Sequence, residues 1–217
     1  MPDAVSVHHP VAHHFEDAEQ QREAASLGMW VFLVTEVLFF GGVFTAYAVY
    51  RTVYPEAFEE ASHHLDIWLG TFNTAVLIAS SLTMALAVWA SQTDRRRPAV
   101  GFILVTMGLG AVFLGVKAVE YTHKFHEGHV PGLRFHWAGP LAGPAELFFS
   151  LYFAMTGLHA LHMVIGLGLL SWLARQTAKG RFGAAYNTPV EMSGLYWHFV
   201  DIVWIFLFPL LYLIGRH

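Results

Sequence analysis

The chain has 217 residues, 55% of them hydrophobic and only 13% charged, with a mean hydropathy of +0.46, a balance outside the usual range for a soluble domain. The absence of cysteine excludes disulfides, Cys-ligated iron–sulfur and zinc sites, c-type haem attachment and a thiolate copper site. The formal net charge of −4 decides nothing further, and no basic patch with interleaved aromatics points to nucleic acid.

A spanning helix needs about 20 mostly apolar residues. Five stretches qualify, roughly 28–50, 66–90, 98–121, 145–173 and 194–215. The expected fold is therefore all-α, a polytopic membrane helix bundle of five transmembrane helices over residues 28–217, preceded by an N-terminal cytoplasmic tail, residues 1–27. The tail sets His8, His9, His13 and His14 among Glu16, Asp17, Glu19 and Glu23, which reads as a solvated segment, with metal binding by the His pairs as the alternative. No basic n-region or small-residue cleavage pattern flanks the first span, so it reads as a retained helix rather than a signal peptide. Residues 51–65 read as an acidic outer loop, Asp66 as the cap of the second span, and 93–98 as a tight turn into the third, with Pro98 at its start. Gly108, Gly110 and Gly115 in the third span and Gly157, Gly166 and Gly168 in the fourth read as packing surfaces.

Orientation follows from Lys and Arg in the connections. Arg22, Arg95, Arg96, Arg97, Arg175, Lys179 and Arg181 share the side of the N-terminus, against Arg51, Lys124, Arg134 and Arg216 opposite. Seven to four places the N-terminus in the cytoplasm.

Ionisable groups in hydrocarbon are costly and must face protein or serve a purpose. LVTEVLFFGGVF surrounds Glu36 with apolar neighbours, which suits a carboxyl that shares its proton. Counted along the spans at ~1.5 Å per residue, Glu36, His162, His198 and Asp201 fall at overlapping depths in the inner half and are expected to form one polar cluster, with His159 nearby. These five are candidates for proton handling or lipid head-group contact, against a purely structural hydrogen-bonding role. Lys117, Glu120 and Glu146 gather near the outer ends of the third and fourth spans, as a structural ion pair sealing the bundle would. His123, His126 and His129 at spacing three, with His136 beyond, present a weak metal-site signal in an otherwise polar loop. Trp30, Tyr47, Tyr50, Tyr152, Trp172, Tyr196 and Tyr212 fall mostly near span ends, as interface anchors do.

The motifs LVTEVLFFGG (33–42), TFNTAVLIASS (71–81), LGAVFLGVKAVEY (109–121), TGLHALHMVIG (156–166) and YWHFVDIVWIFLF (196–208) touch all five spans. Together and in this order they resemble subunit III of the haem–copper oxidases, in the short five-helix form of the cytochrome c oxidase type. The resemblance implies an accessory subunit in a bacterial cytoplasmic membrane, with no metal or cofactor of its own. Its partners would be oxidase subunits I and II, which carry the haem and copper, and in some settings a larger respiratory supercomplex. It also implies bound phospholipid and a part in sustaining proton uptake and turnover lifetime, and Glu36 matches the family's buried carbodiimide-reactive glutamate. Longer members have seven helices, so the lipid-holding cleft would here be completed by another subunit. Lys117 stands where many relatives have Gln. Subunit III of a quinol oxidase or of a nitric-oxide-reductase-associated complex shares these features. A His-rich diiron enzyme, prompted by fourteen His, and a small proton transporter, prompted by the intramembrane acids, are the unrelated alternatives.

Overall fold

The computed structural model describes residues 15–132 and 135–215, and among them the chain forms six helices and no strand. The order is α1 (Ala18–Val53), α2 (Pro55–His63), α3 (Ile67–Gln92), α4 (Arg96–His126), α5 (Ala142–Ala178) and α6 (Thr188–Tyr212). All but α2 are long and apolar enough to cross a membrane. The His-rich start of the tail lies outside the described residues.

Most of the spanning helices outrun the apolar stretches at one or both ends. Asp17 accepts from the Gln20 backbone N–H at 2.8 Å, so α1 begins ten residues before its apolar run. Asp66 accepts from the Trp68 and Leu69 N–H groups at 2.9 and 3.2 Å and caps α3, as its position in the sequence implies. Pro98 is the third residue of α4, where a missing N–H leaves no intrahelical bond unmade. The stretch expected to be an acidic loop is instead largely α2. Pro55 opens it, and Phe58 and Ala61 form an apolar stripe that buries against Tyr47 and Phe148, with ring centroids 5.5 and 5.4 Å from Phe58.

Helix α6 is the hub, packing on α1, α3 and α5, while α3 also lies along α4 and α4 along α5. Over half of the apolar window of α6 is buried (56%) against 11% for α1, which leaves α1 peripheral. The Trp197 indole fills a slot between α4 and α5. A Cβ on Gly110 would meet it at 2.8 Å and one on Gly166 at 2.9 Å, so only glycine fits at either wall. Of the other helical glycines read as packing surfaces, a Cβ on Gly157 would lie 3.9 Å from the Tyr121 hydroxyl, and Gly108, Gly115 and Gly168 face open space within this chain.

Candidate functional site

Three separate polar sites occupy the bundle where one inner cluster was expected. The physical reason is rotation about α6: Tyr196 and Phe199 face His162 and Phe40 on α5 and α1, while His198 and Asp201, on the same turns, face Ser81 on α3.

The first site joins α1 to α5. His162 Nδ1 donates to the Leu158 carbonyl at 2.8 Å, leaving Nε2 facing Glu36 Oε2 at 3.1 Å. With Nδ1 committed as a donor, one proton lies between Nε2 and the carboxyl, carried by either partner. Phe40 packs on the imidazole with centroids 5.3 Å apart, and Tyr196 donates to the His162 carbonyl at 2.9 Å, tying in α6. The expected contact between Glu36 and a histidine is thus present.

The second site lies between α3 and α6. His198 Nδ1 and Ser81 Oγ share a hydrogen bond of 2.7 Å. Asp201, one turn on, is buried at 2% exposure, its carboxyl oxygens enclosed and the Ser81 hydroxyl the polar group beside them. His198 and Asp201 therefore do not join His162. Ser81 escaped notice because the run of small residues around it reads as helix packing.

The third site lies toward the end of the bundle that holds α2 and the C-terminus of α6. Lys117 Nζ donates to Glu120 Oε2 at 2.9 Å and to the Tyr212 and Tyr152 hydroxyls at 2.7 and 3.3 Å. Both hydroxyls in turn donate to Glu120 Oε1, at 2.5 and 2.9 Å. The ammonium also sits 4.7 Å from the Trp204 ring centroid. Glu146 does not belong here: its Oε1 accepts from the Gly132 N–H at 2.8 Å, pinning the loop before α5. Tyr152 and Tyr212 take its place. Expected as interface anchors, they are fully buried, as is Tyr47, whose hydroxyl donates to the Leu210 carbonyl. Trp30, Tyr50 and Trp172 remain exposed as anchors should be.

His159 stands apart from all three. Its ring is enclosed between Phe113 and Trp204, at 5.3 and 5.2 Å, with neither nitrogen partnered among the described residues. No three His, Cys, Asp or Glu side chains converge to hold a metal among the described residues. In the His-rich outer loop, His129 stacks on Phe149 at 5.0 Å and meets Glu127 at 3.1 Å, while His123 and His126 do not converge with it.

That outer end has its own electrostatics. Burial, with His129 and Lys124 nearby, holds the His64 imidazole below its ordinary value of 6.5. Burial works against ionisation of Glu127, but the Lys124 ammonium and His129 outweigh it and hold that carboxyl below its ordinary value of 4.5.

Comparison with known proteins agrees with this architecture. The chain is 34% identical to cytochrome c oxidase subunit 3 of Thermostichus vulcanus over 93% of its own length and 92% of the relative's. It is 31% identical to cytochrome bo(3) ubiquinol oxidase subunit 3 of Pseudomonas aeruginosa over 95% and 93%, and 30% identical to quinol oxidase subunit 3 of Bacillus spizizenii over 87% and 86%. Residues 11–216 match the family described as cytochrome c oxidase subunit III, and the chain belongs to that family.

Proposed function

We propose that this chain is the accessory subunit III of a respiratory haem–copper oxidase of the cytochrome c oxidase type. It seats beside subunits I and II in a bacterial cytoplasmic membrane, with its N-terminus on the cytoplasmic side. The family match over residues 11–216 carries the proposal. Five apolar helices and that membership make the chain a multi-pass membrane protein, and its relatives are named as subunits of oxidases.

Within the complex the chain itself takes no part in redox chemistry: it has no cysteine, and its intramembrane imidazoles are each committed elsewhere, to Glu36, to Ser81 or to an aromatic cage. Haem and copper belong to the partner subunits. The bundle's contribution is to hold phospholipid and the proton-entry surface of subunit I in order during turnover, with the proton-sharing Glu36–His162 pair at the lightly buried α1 edge. Deleting the subunit is expected to leave initial oxygen reduction largely intact at low pH, to slow it as pH rises and proton supply limits, and to shorten the number of turnovers before inactivation. Oxygen-electrode traces of the complex with and without the chain test this, and equal lifetimes with equal pH profiles overturn it.

The relatives from Pseudomonas and Bacillus favour a second reading, subunit III of a quinol oxidase. Supplying the purified complex with reduced cytochrome c or with a quinol separates the two.

A further inference from the structure

A pocket at the end of the bundle that holds α2 belongs to none of the three polar sites. It holds ≈ 650 Å³ between the last turns of α1, the start of α2 and the end of α6, a volume in the range of small-molecule sites. Arg51 and Thr52 line it from α1, Glu59 from α2, Leu210 from α6 and Ile214 from just beyond. Resting on the reading of the bundle as one that holds phospholipid, we propose that this pocket binds the head group of an aminophospholipid, with the phosphate on Arg51 and the primary ammonium on Glu59.

Depth sets the class of ligand. The apolar run of α1 ends at about Tyr50 and that of α6 at about Gly215, so Arg51, Glu59 and Gly215 meet where hydrocarbon gives way to head groups. Glu59 lies directly against the Gly215 backbone, where a Cβ would leave it no room, and this holds its side chain on the pocket wall. Beside the charged rim, Ala48 on α1 and Leu210 on α6 form apolar walls. Phe206, one turn before Leu210 on the same face of α6, is more than half exposed and continues that wall toward mid-bilayer, a track for an acyl chain.

Charge sets the head group. Arg51 and Glu59 share the pocket without pairing with each other, and neither is hydrogen-bonded or ion-paired among the described residues. An unpaired cation and anion in one pocket complement a ligand that carries both signs. The guanidinium fork matches phosphate oxygens. The Thr52 hydroxyl gives its proton to the Val49 carbonyl at 2.7 Å and so offers only lone pairs to the pocket, as the Glu59 carboxylate does. Acceptors of this kind suit an ammonium with its three N–H donors. A choline head has no N–H to give them, and a glycerol head has no cation to answer Glu59.

The test starts from the detergent-purified oxidase, washed free of loosely held lipid and reloaded from micelles doped with dioleoyl phosphatidylethanolamine, phosphatidylcholine or phosphatidylglycerol. Native mass spectrometry counts the phospholipid retained. The parent is expected to retain phosphatidylethanolamine about three- to tenfold over the other two. Arg51→Gln is expected to lower retention of phosphatidylethanolamine by a similar factor and Arg51→Lys to stay within about twofold, while Glu59→Gln abolishes the preference over phosphatidylglycerol. Equal retention by the parent and Arg51→Gln, or a preference that survives Glu59→Gln, overturns the proposal. A second measurement needs no variant: phosphatidylethanolamine carrying a diazirine near its glycerol, irradiated on the parent complex, is expected to label segments 47–59 and 206–215. Labelling confined to other segments, as when a side chain of a partner subunit fills the pocket, or equal labelling there by the phosphatidylcholine analogue, also overturns it. Absence of haem-bearing partners from the native preparation overturns the oxidase reading alone, because the labelled segments decide the lipid site separately.

Discussion

The outer and middle polar sites of the bundle carry the same kinds of residue to opposite ends. Around Lys117 every charged or hydroxyl group finds a partner inside the chain: Glu120 receives one bond from the ammonium and two from Tyr152 and Tyr212. Around Asp201 a single hydroxyl, that of Ser81, stands beside both the His198 ring and the enclosed carboxyl. A closed network in low dielectric rigidifies and specifies the fold, whereas a sparse one leaves a buried group weakly paired. The first is held by several partners within the chain, the second by a single hydroxyl beside the carboxyl.

The largest expected effect breaks the closed network. Lys117→Met leaves Glu120 buried with no cation and is expected to cost about 3–5 kcal/mol, while the double change Lys117→Met with Glu120→Leu recovers much of that loss. Thermal unfolding of the purified chain in detergent measures both. A single mutant no worse than the double shows that the pair is not a coupled unit.

The contrast then sharpens at the sparse site. In the purified chain, Asp201→Leu removes a sparsely paired carboxyl from an apolar cleft, so its unfolding free energy is expected to stay within about 1 kcal/mol of the parent or to rise. Destabilisation as deep as that of Lys117→Met erases the distinction between the two sites.

The smallest effect lies outside the spans, at the end of the bundle that holds His64 and Glu127. His64 titrates below its ordinary 6.5 in the folded chain, so the unfolded chain binds more protons and stability falls as pH drops below 6.5 toward the folded value. Glu127 works in the same direction at lower pH: its folded value lies below 4.5, so its contribution is present above 4.5 and lost as pH falls through the folded value. Both groups are largely solvated, so the change is modest. His64→Gln is expected to flatten the upper of the two slopes in thermal midpoint against pH, and an unchanged slope assigns it to another group.

Much of this was legible in the sequence. The five spans show in the run lengths of apolar residues, the α3 start in Asp66, and the Glu36–histidine contact in the cost of placing both groups in lipid. Helix ends were less legible, because Asp17 and Thr188 extend α1 and α6 through polar residues that a hydropathy count ignores. The acidic stretch after Arg51 concealed α2, whose stripe of Phe58 and Ala61 is too short to register as a periodic signal. Tyr152 and Tyr212 look like interface anchors from their positions, and only helix rotation distinguishes a tyrosine facing head groups from one facing Lys117.

The sequence by itself determined the class of the protein, its count of spans and its family, because hydrophobic length and ordered motifs are properties of the chain read one residue at a time. Which polar groups meet was decided by tertiary structure alone. Azimuth follows from how α6 packs among α1, α3 and α5, and it turns His198 and Asp201 toward Ser81 on α3 while Tyr196 and Phe199 face His162 and Phe40.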